Sequence, residues 1–115
     1  MRIRYTPNAR DCVAEIREYI ARENPQTARR VVAHIRNQTL ILAEQPNMGK
    51  PGRCEGTREL VITPFPYIVV YCIQDEEIHV LAVVHTSRQW SELSARVGLN
   101  VFCEAQIHKL TGSHN

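Results

Sequence analysis

Residues 67–85 of the chain read YIVVYCIQDEEIHVLAVVH, and the other elements can be placed relative to them. β-Branched and aromatic residues dominate both halves of this segment, a composition typical of strands. The connection Asp75-Glu76-Glu77 is short, so the two halves should pair as antiparallel neighbours. Apolar residues occupy both faces of 67–73 and 80–84, which predicts two central strands covered by helices.

A third strand is predicted directly upstream, over 57–62, and the turn Thr63-Pro64-Phe65-Pro66 joins it to the second. Before it, residues 45–56 read QPNMGKPGRCEG and are dense in residues that break helices and fix turns, which predicts a loop. The loop and the start of the strand bring together three cations, Lys50, Arg53 and Arg58. The second half of the fold is therefore predicted to be a loop with several cations followed by a three-strand meander.

The first 44 residues predict a short strand and two helices. Residues 2–5 alternate polar and apolar side chains, and Thr6-Pro7 and Asn24-Pro25 each place a capping residue before a proline. Helices should therefore run from these caps to about residue 23 and to about residue 44. Apolar residues at helical spacing form one stripe on each helix: Ala9, Cys12, Val13, Ile16, Tyr19 and Ile20, then Ala28, Val31, Val32, Ile35, Leu42 and Ala43. The expected fold is α+β, with an N-terminal strand and an α-helical hairpin packed on a small, mainly antiparallel sheet of three to four strands.

The length of 115 residues corresponds to one domain, and 43% apolar residues suffice for a packed core. We expect the domain to cover residues 1–92. Glycines interrupt the apolar positions of 93–115, which predicts a weakly helical or partly disordered C-terminal tail. The longest apolar run, 64–73, is about half of a membrane span, and no basic-then-apolar leader opens the chain. We therefore expect a cytoplasmic protein that does not contact the membrane.

Charge and motifs exclude several functions. The chain has 14 Lys and Arg against 12 Asp and Glu, and its first 45 residues hold eight of the arginines, which suits RNA or an acidic protein partner. Phosphate-loop, serine-hydrolase and H-E-x-x-H motifs are absent from the sequence, so nucleotide hydrolysis and zinc proteolysis are unsupported. His79 and His85 would lie about 20 Å apart along an extended strand. We expect no metal, no other cofactor and, with four cysteines but no C-x-x-C pair, no disulfide bond.

Two residues allow both a structural and a functional interpretation. His85 ends a hydrophobic strand before the polar cluster Thr86-Ser87-Arg88-Gln89-Trp90, where it either caps the strand or acts as a general base or phosphate contact. Arg58 alternates with apolar residues on one strand face. It either pairs with a neighbouring glutamate or joins Lys50, Arg53 and Arg88 in a patch for phosphate or an acidic protein surface.

The order of these segments resembles the RelE/ParE superfamily of bacterial toxins from type II toxin-antitoxin modules, over residues 1 to about 92. The resemblance lies in four stretches: Pro46-Asn47-Met48-Gly49-Lys50-Pro51-Gly52-Arg53, Gly56-Thr57-Arg58-Glu59-Leu60-Val61-Ile62, Pro66-Tyr67-Ile68-Val69-Val70-Tyr71 and His85-Thr86-Ser87-Arg88-Gln89-Trp90. It implies a growth-arresting protein held inactive by a cognate antitoxin, without specific DNA binding of its own.

The superfamily resemblance implies two alternative targets. RelE-like toxins cleave messenger RNA in the ribosome, and ParE-like toxins inhibit DNA gyrase without being nucleases. A nuclease here would use Arg58, His85 and Arg88, expected to converge at strand ends, but Leu60 and Ile68 are apolar where such nucleases tend to carry cations. The ParE-like interpretation is therefore favoured, with contacts to target or phosphate assigned to four residues: Lys50, Arg53, Tyr71 and Trp90. A third reading is a protein-binding or RNA-binding module without toxicity.

Overall fold

The computed structural model describes residues 1–86, which fold into two helices and one sheet. Their bounds are β1 (Arg2–Tyr5), α1 (Pro7–Ala21), α2 (Pro25–Leu42), β2 (Lys50–Pro51), β3 (Arg58–Ile62), β4 (Tyr67–Gln74) and β5 (Glu77–His85). The strand order is β1-β5-β4-β3-β2. β1 runs parallel to β5, and the other neighbours are antiparallel. The α+β prediction is confirmed, and the sheet has five strands instead of three or four because Lys50 and Pro51 pair with β3 inside the predicted loop.

The two helices begin where their capping residues predict. Thr6 Oγ1 accepts the Ala9 amide at 3.1 Å, and Asn24 Oδ1 accepts the Thr27 amide at 3.1 Å. Each oxygen satisfies an amide that has no partner within its helix, which fixes the start of the helix. Thr6 Oγ1 also donates to the Val80 carbonyl at 3.0 Å, so this cap joins α1 to the sheet as well.

The helical hairpin covers one face of the sheet. Tyr5 of β1 reaches Thr39 of α2, and the pairing register places Val80, Tyr71 and Arg58 on the same face as Tyr5. The predicted stripes supply the helical side of this core, with side chains that include Ala9, Cys12, Val13, Ala28, Val31, Val32, Ile35 and Leu42. Tyr19 is the exception, since it is 65% exposed although its spacing placed it on the stripe.

A polar link inside this interface ties β1 to α2. Thr39 Oγ1 donates to the Arg36 carbonyl at 2.8 Å, so the Tyr5 hydroxyl is the donor in its 2.6 Å bond to Thr39 Oγ1. Burial raises the pKa of Tyr5 above its ordinary value, and the Thr39 hydrogen bond and the Arg36 charge offset only part of that rise. The tyrosinate is therefore disfavoured in the folded chain.

This link predicts a pH-dependent effect for Tyr5→Phe. At neutral pH the variant should lose about 1 kcal/mol of unfolding free energy, because one hydrogen bond is removed. The folded pKa is the higher one, so the contribution of Tyr5 is complete below the ordinary value near 10 and is lost as pH rises through the folded value. Urea unfolding from neutral pH to about pH 11 should show the gap between wild type and variant shrinking above about pH 10. A gap that stays constant would contradict this account.

Cysteine usage departs from the sequence prediction at one position. Cys12 and Cys72 are buried thiols outside any disulfide bond, but Cys54 is disulfide-bonded. The expectation of no disulfide bond is therefore wrong for Cys54.

Several parts of the sequence prediction lie outside the described residues: Arg88, Trp90, the predicted domain limit at residue 92 and the tail 93–115. Within residues 1–86, neither helix is long and apolar enough to cross a membrane.

Candidate functional site

The basic loop, residues 46–53, lies between α2 and β3 and is attached to the sheet along its length. Tyr71 and Arg58 are paired neighbours on β4 and β3, on the helix-covered face. The loop passes beside them directly after α2 ends at Leu42. Its conformation therefore depends on side chains that come later in the sequence.

Tyr71 of β4 binds the loop backbone through its buried hydroxyl. Its side chain is 0% exposed, and its hydroxyl donates to the Pro46 carbonyl at 2.7 Å and accepts the Gly49 amide at 3.0 Å. The hydroxyl thus satisfies one donor and one acceptor of the loop backbone at the same point. The structure places Tyr71 beneath the surface, so the predicted direct contact with a target would require the loop to move.

Arg58 holds the same loop from β3. Its guanidinium donates from Nε to the Gly49 carbonyl at 2.9 Å, and from Nη2 to the carbonyls of Gly49 and Asn47 at 2.5 and 3.1 Å. A guanidinium has five donors in a fixed planar arrangement, and three hydrogen bonds here go to the loop backbone. The structure thus bonds Arg58 to the loop backbone, which neither of the two interpretations from the sequence included.

Gly49 and Glu59 complete the attachment. A Cβ on Gly49 would lie 2.7 Å from the Tyr71 hydroxyl oxygen and 2.9 Å from the Glu59 carbonyl oxygen, so only glycine fits. Glu59 is 4% exposed, and its carboxylate accepts the Arg53 amide at 2.9 Å. The sequence signal for Glu59 was an acid inside a strand of apolar residues, which is rarely buried without a hydrogen-bond partner.

The outer side of the basic loop is open to solvent. Met48 is 38% exposed, and Lys50 and Arg53 are exposed as well. Lys50 lies opposite Glu59 in the β2–β3 register. An apolar side chain and two cations are thus presented on a backbone fixed from the inside.

His85 lies at the other end of the sheet from Arg58. The register places His85 level with Tyr67 and Ile62, whereas Arg58 is level with Tyr71. Four residues along β3 correspond to about 13 Å, and two strand spacings add about 10 Å sideways. His85 packs edge-on against the Tyr67 ring, with ring centroids 5.3 Å apart.

The expected convergence of Arg58 and His85 is therefore wrong. In a three-strand antiparallel meander the first and third strands run in the same direction, so the start of one and the end of the other lie at opposite ends. The predicted meander therefore already implied that Arg58 and His85 are far apart.

A separate charged cluster lies at the β1–β5 edge. Glu77 is bonded to Arg4 at 3.1 Å and to His79 at 3.3 Å, and Arg2 lies 3.9 Å from the same carboxylate. The two arginine pairs cross-link β1 to β5 near the surface, where such interactions contribute little, and the His79–Glu77 pair lies within β5. In the described part of the chain, no three His, Cys, Asp or Glu side chains are grouped so that they could hold a metal ion.

Solved toxin structures share this arrangement of helices and strands. A chain from the chromosomal ParDE toxin-antitoxin system of P. aeruginosa superposes with a TM-score of 0.68 at 22% identity, over 76% of this chain and 97% of its own. A chain from the toxin-antitoxin complex RelBE2 of Mycobacterium tuberculosis gives a TM-score of 0.54 at 26% identity, over 73% of this chain and 95% of its own. The fold is that of the RelE/ParE superfamily of toxins.

Sequence comparison gives the family. Residues 3–90 match the sequence model of the ParE toxin of type II toxin-antitoxin systems, parDE. Candidate toxin Y4kP of Sinorhizobium fredii is 42% identical over 92 residues, which are 80% of this chain and 95% of its own length. Toxin RelE2 of Caulobacter vibrioides is 33% identical over 73 residues, 64% of this chain and 81% of its own length. The chain belongs to the ParE toxin family of type II toxin-antitoxin systems.

Proposed function

We propose that this toxin arrests growth by inhibiting DNA gyrase, in the manner of ParE-like toxins, and that it is not a nuclease. The single observation that carries the proposal is the position of Arg58. Its guanidinium is bonded to the carbonyls of Gly49 and Asn47, at the end of the sheet opposite His85.

Cleavage of RNA by its own 2′-hydroxyl places strict demands on a site. A base, a cation at the developing negative charge and an acid for the leaving oxygen must all reach the same phosphate at hydrogen-bond distance. Arg58 and His85 are about 16 Å apart by strand geometry, and the Arg58 guanidinium is bonded to the carbonyls of Gly49 and Asn47. Leu60 and Ile68 are apolar, so neither of these strand positions supplies a cation that could take the place of Arg58 or His85.

The alternative function is ribosome-dependent cleavage of messenger RNA. The similarity to Toxin RelE2 and to a chain of the RelBE2 complex favours it. It would use Arg58, His85 and Arg88 as catalytic residues, with Arg88 outside the described part of the chain. Under the gyrase proposal, Arg88 and Trp90 remain candidate contacts to the target, together with Lys50 and Arg53.

We further propose that a cognate antitoxin neutralises the protein and that it acts in the cytoplasm. Both solved relatives come from toxin-antitoxin systems, which supports an antitoxin partner for this chain. Exposed arginines such as Arg10 on α1 and Arg30 and Arg36 on α2 offer charge for an acidic partner segment.

The proposal predicts that His85→Ala retains growth arrest. The substitution removes the edge-on ring contact with Tyr67, worth about 1 kcal/mol, but no group of a gyrase-directed site. Induced wild type and variant should arrest DNA synthesis equally, measured by labelled precursors over the first minutes. Co-expression of the small protein encoded beside the toxin should restore growth in both strains. Loss of arrest in His85→Ala with a normal unfolding midpoint would instead favour the nuclease.

A further inference from the structure

The basic loop is preorganised by its own hydrogen bonds. The Met48 amide donates to the Gln45 carbonyl at 3.1 Å, and the Gly52 amide to the Thr57 carbonyl at 2.8 Å. The Gly49 and Arg53 amides donate to Tyr71 and Glu59. A loop held in this way loses little conformational entropy when it binds, which favours affinity.

The same hydrogen bonds argue against a phosphate ligand. A phosphate-binding loop presents several backbone amides to the anion, whereas the amides of Met48, Gly49, Gly52 and Arg53 all donate to acceptors within the protein. The positive charge is also local, because the exposed acids Glu44 and Glu55 flank the loop on either side. Binding along a nucleic acid backbone requires many cations over a wide surface, which this loop does not provide.

An exposed apolar side chain beside cations is instead typical of a protein contact. Met48 supplies an adaptable apolar contact, and Lys50 and Arg53 supply charge around it. Apolar centres with a charged rim are the usual composition of protein interfaces.

We propose that the basic loop is the surface with which this toxin docks on an acidic protein surface of its target. Met48, Lys50 and Arg53 make the contact, and Arg58, Glu59 and Tyr71 are positioning residues that hold the loop in its binding conformation. The inference rests on the proposed function, since it assigns the surface that reaches gyrase.

The test compares two substitutions that change charge equally. Lys50→Glu alters the loop, and Arg17→Glu is the matched control on the exposed side of α1. Purified full-length toxins are titrated into a supercoiling assay with gyrase holoenzyme. We expect the inhibitory concentration to rise at least about tenfold for Lys50→Glu and less than about twofold for Arg17→Glu. Lys50→Arg, which keeps the charge, should restore inhibition.

Tyr71→Phe tests the positioning role separately. It removes the hydroxyl that meets Pro46 and Gly49 but leaves every exposed loop side chain unchanged. We expect weaker inhibition by about threefold or more, with faster hydrogen exchange confined to residues 46–53. Unchanged exchange and unchanged inhibition would overturn the positioning role.

The outcomes separate this inference from the proposed function. Equal effects of Lys50→Glu and Arg17→Glu would overturn the docking loop while gyrase inhibition by wild type still stood. Binding of wild type to a labelled DNA or RNA oligonucleotide that Lys50→Glu abolishes would also overturn it, in favour of a nucleic acid ligand. If wild-type toxin leaves supercoiling untouched, that result contradicts the proposed function but not the docking loop. Growth arrest then tests the docking loop. A weaker arrest by Lys50→Glu than by Arg17→Glu would support it, and equal arrest would overturn it.

Discussion

Gly49→Ala is expected to displace the basic loop and to abolish growth arrest. The new methyl group would lie 2.8 Å from the Tyr71 ring and 2.9 Å from the Glu59 carbonyl oxygen. Neither neighbour can yield easily, because Tyr71 is fully buried and Glu59 is paired with Val70 in the sheet. Overpacking of this kind costs about 1–3 kcal/mol, and the loop can relieve it only by leaving Tyr71.

Urea unfolding and hydrogen exchange together measure this effect. The variant should unfold with a free energy lowered by about 2 kcal/mol, and residues 46–53 should exchange faster than the helices. Asn47→Ala is the control, since Asn47 is exposed in the same loop and its backbone carbonyl would still accept from Arg58. A Gly49→Ala protein with wild-type stability and full toxicity would show that the loop conformation has no part in the function.

Arg58→Met is expected to have a comparable effect. Methionine keeps much of the aliphatic stem but removes the donors that serve the Gly49 and Asn47 carbonyls. Hydrogen bonds from charged donors contribute about 1.5–3 kcal/mol, so the variant should lose about 2 kcal/mol of unfolding free energy. Toxicity should fall with it, because the loop loses one of its positioning residues.

The unfolding midpoint distinguishes positioning from catalysis. Arg29→Met, at an exposed position of α2, should stay within about 0.5 kcal/mol of wild type and serves as the control. An Arg58→Met protein that keeps the wild-type midpoint and loop protection, yet is no longer toxic, would contradict the positioning role. That result would return Arg58 to the catalytic role implied by a nuclease.

Local sequence signals predicted most of the secondary structure. β4 has the predicted bounds, and both helices begin at their capping residues, because strand composition and helix caps act over a few residues. The short strand β2 was missed, since two residues that contain a proline have no strand signal of their own. It exists because β3 offers it a partner.

The site was harder to predict than the fold, because it depends on long-range contacts. The sequence singled out Arg58 and Tyr71 as functional candidates, but their roles follow from hydrogen bonds to residues up to 25 positions away. An arginine in a strand has the same local pattern whether it faces a phosphate or a carbonyl of the protein itself. Gly49 is one of several helix-breaking residues in the predicted loop 45–56, and its close contact with Tyr71 was not visible in the sequence.

The most direct test of the central claim is one comparison with purified wild-type toxin. The toxin is added to a gyrase supercoiling assay and, in parallel, to ribosomes translating a labelled messenger RNA. The account predicts that supercoiling is inhibited while the messenger stays intact and is translated. Cleaved messenger with unaffected supercoiling would contradict it and would identify a ribosome-dependent nuclease.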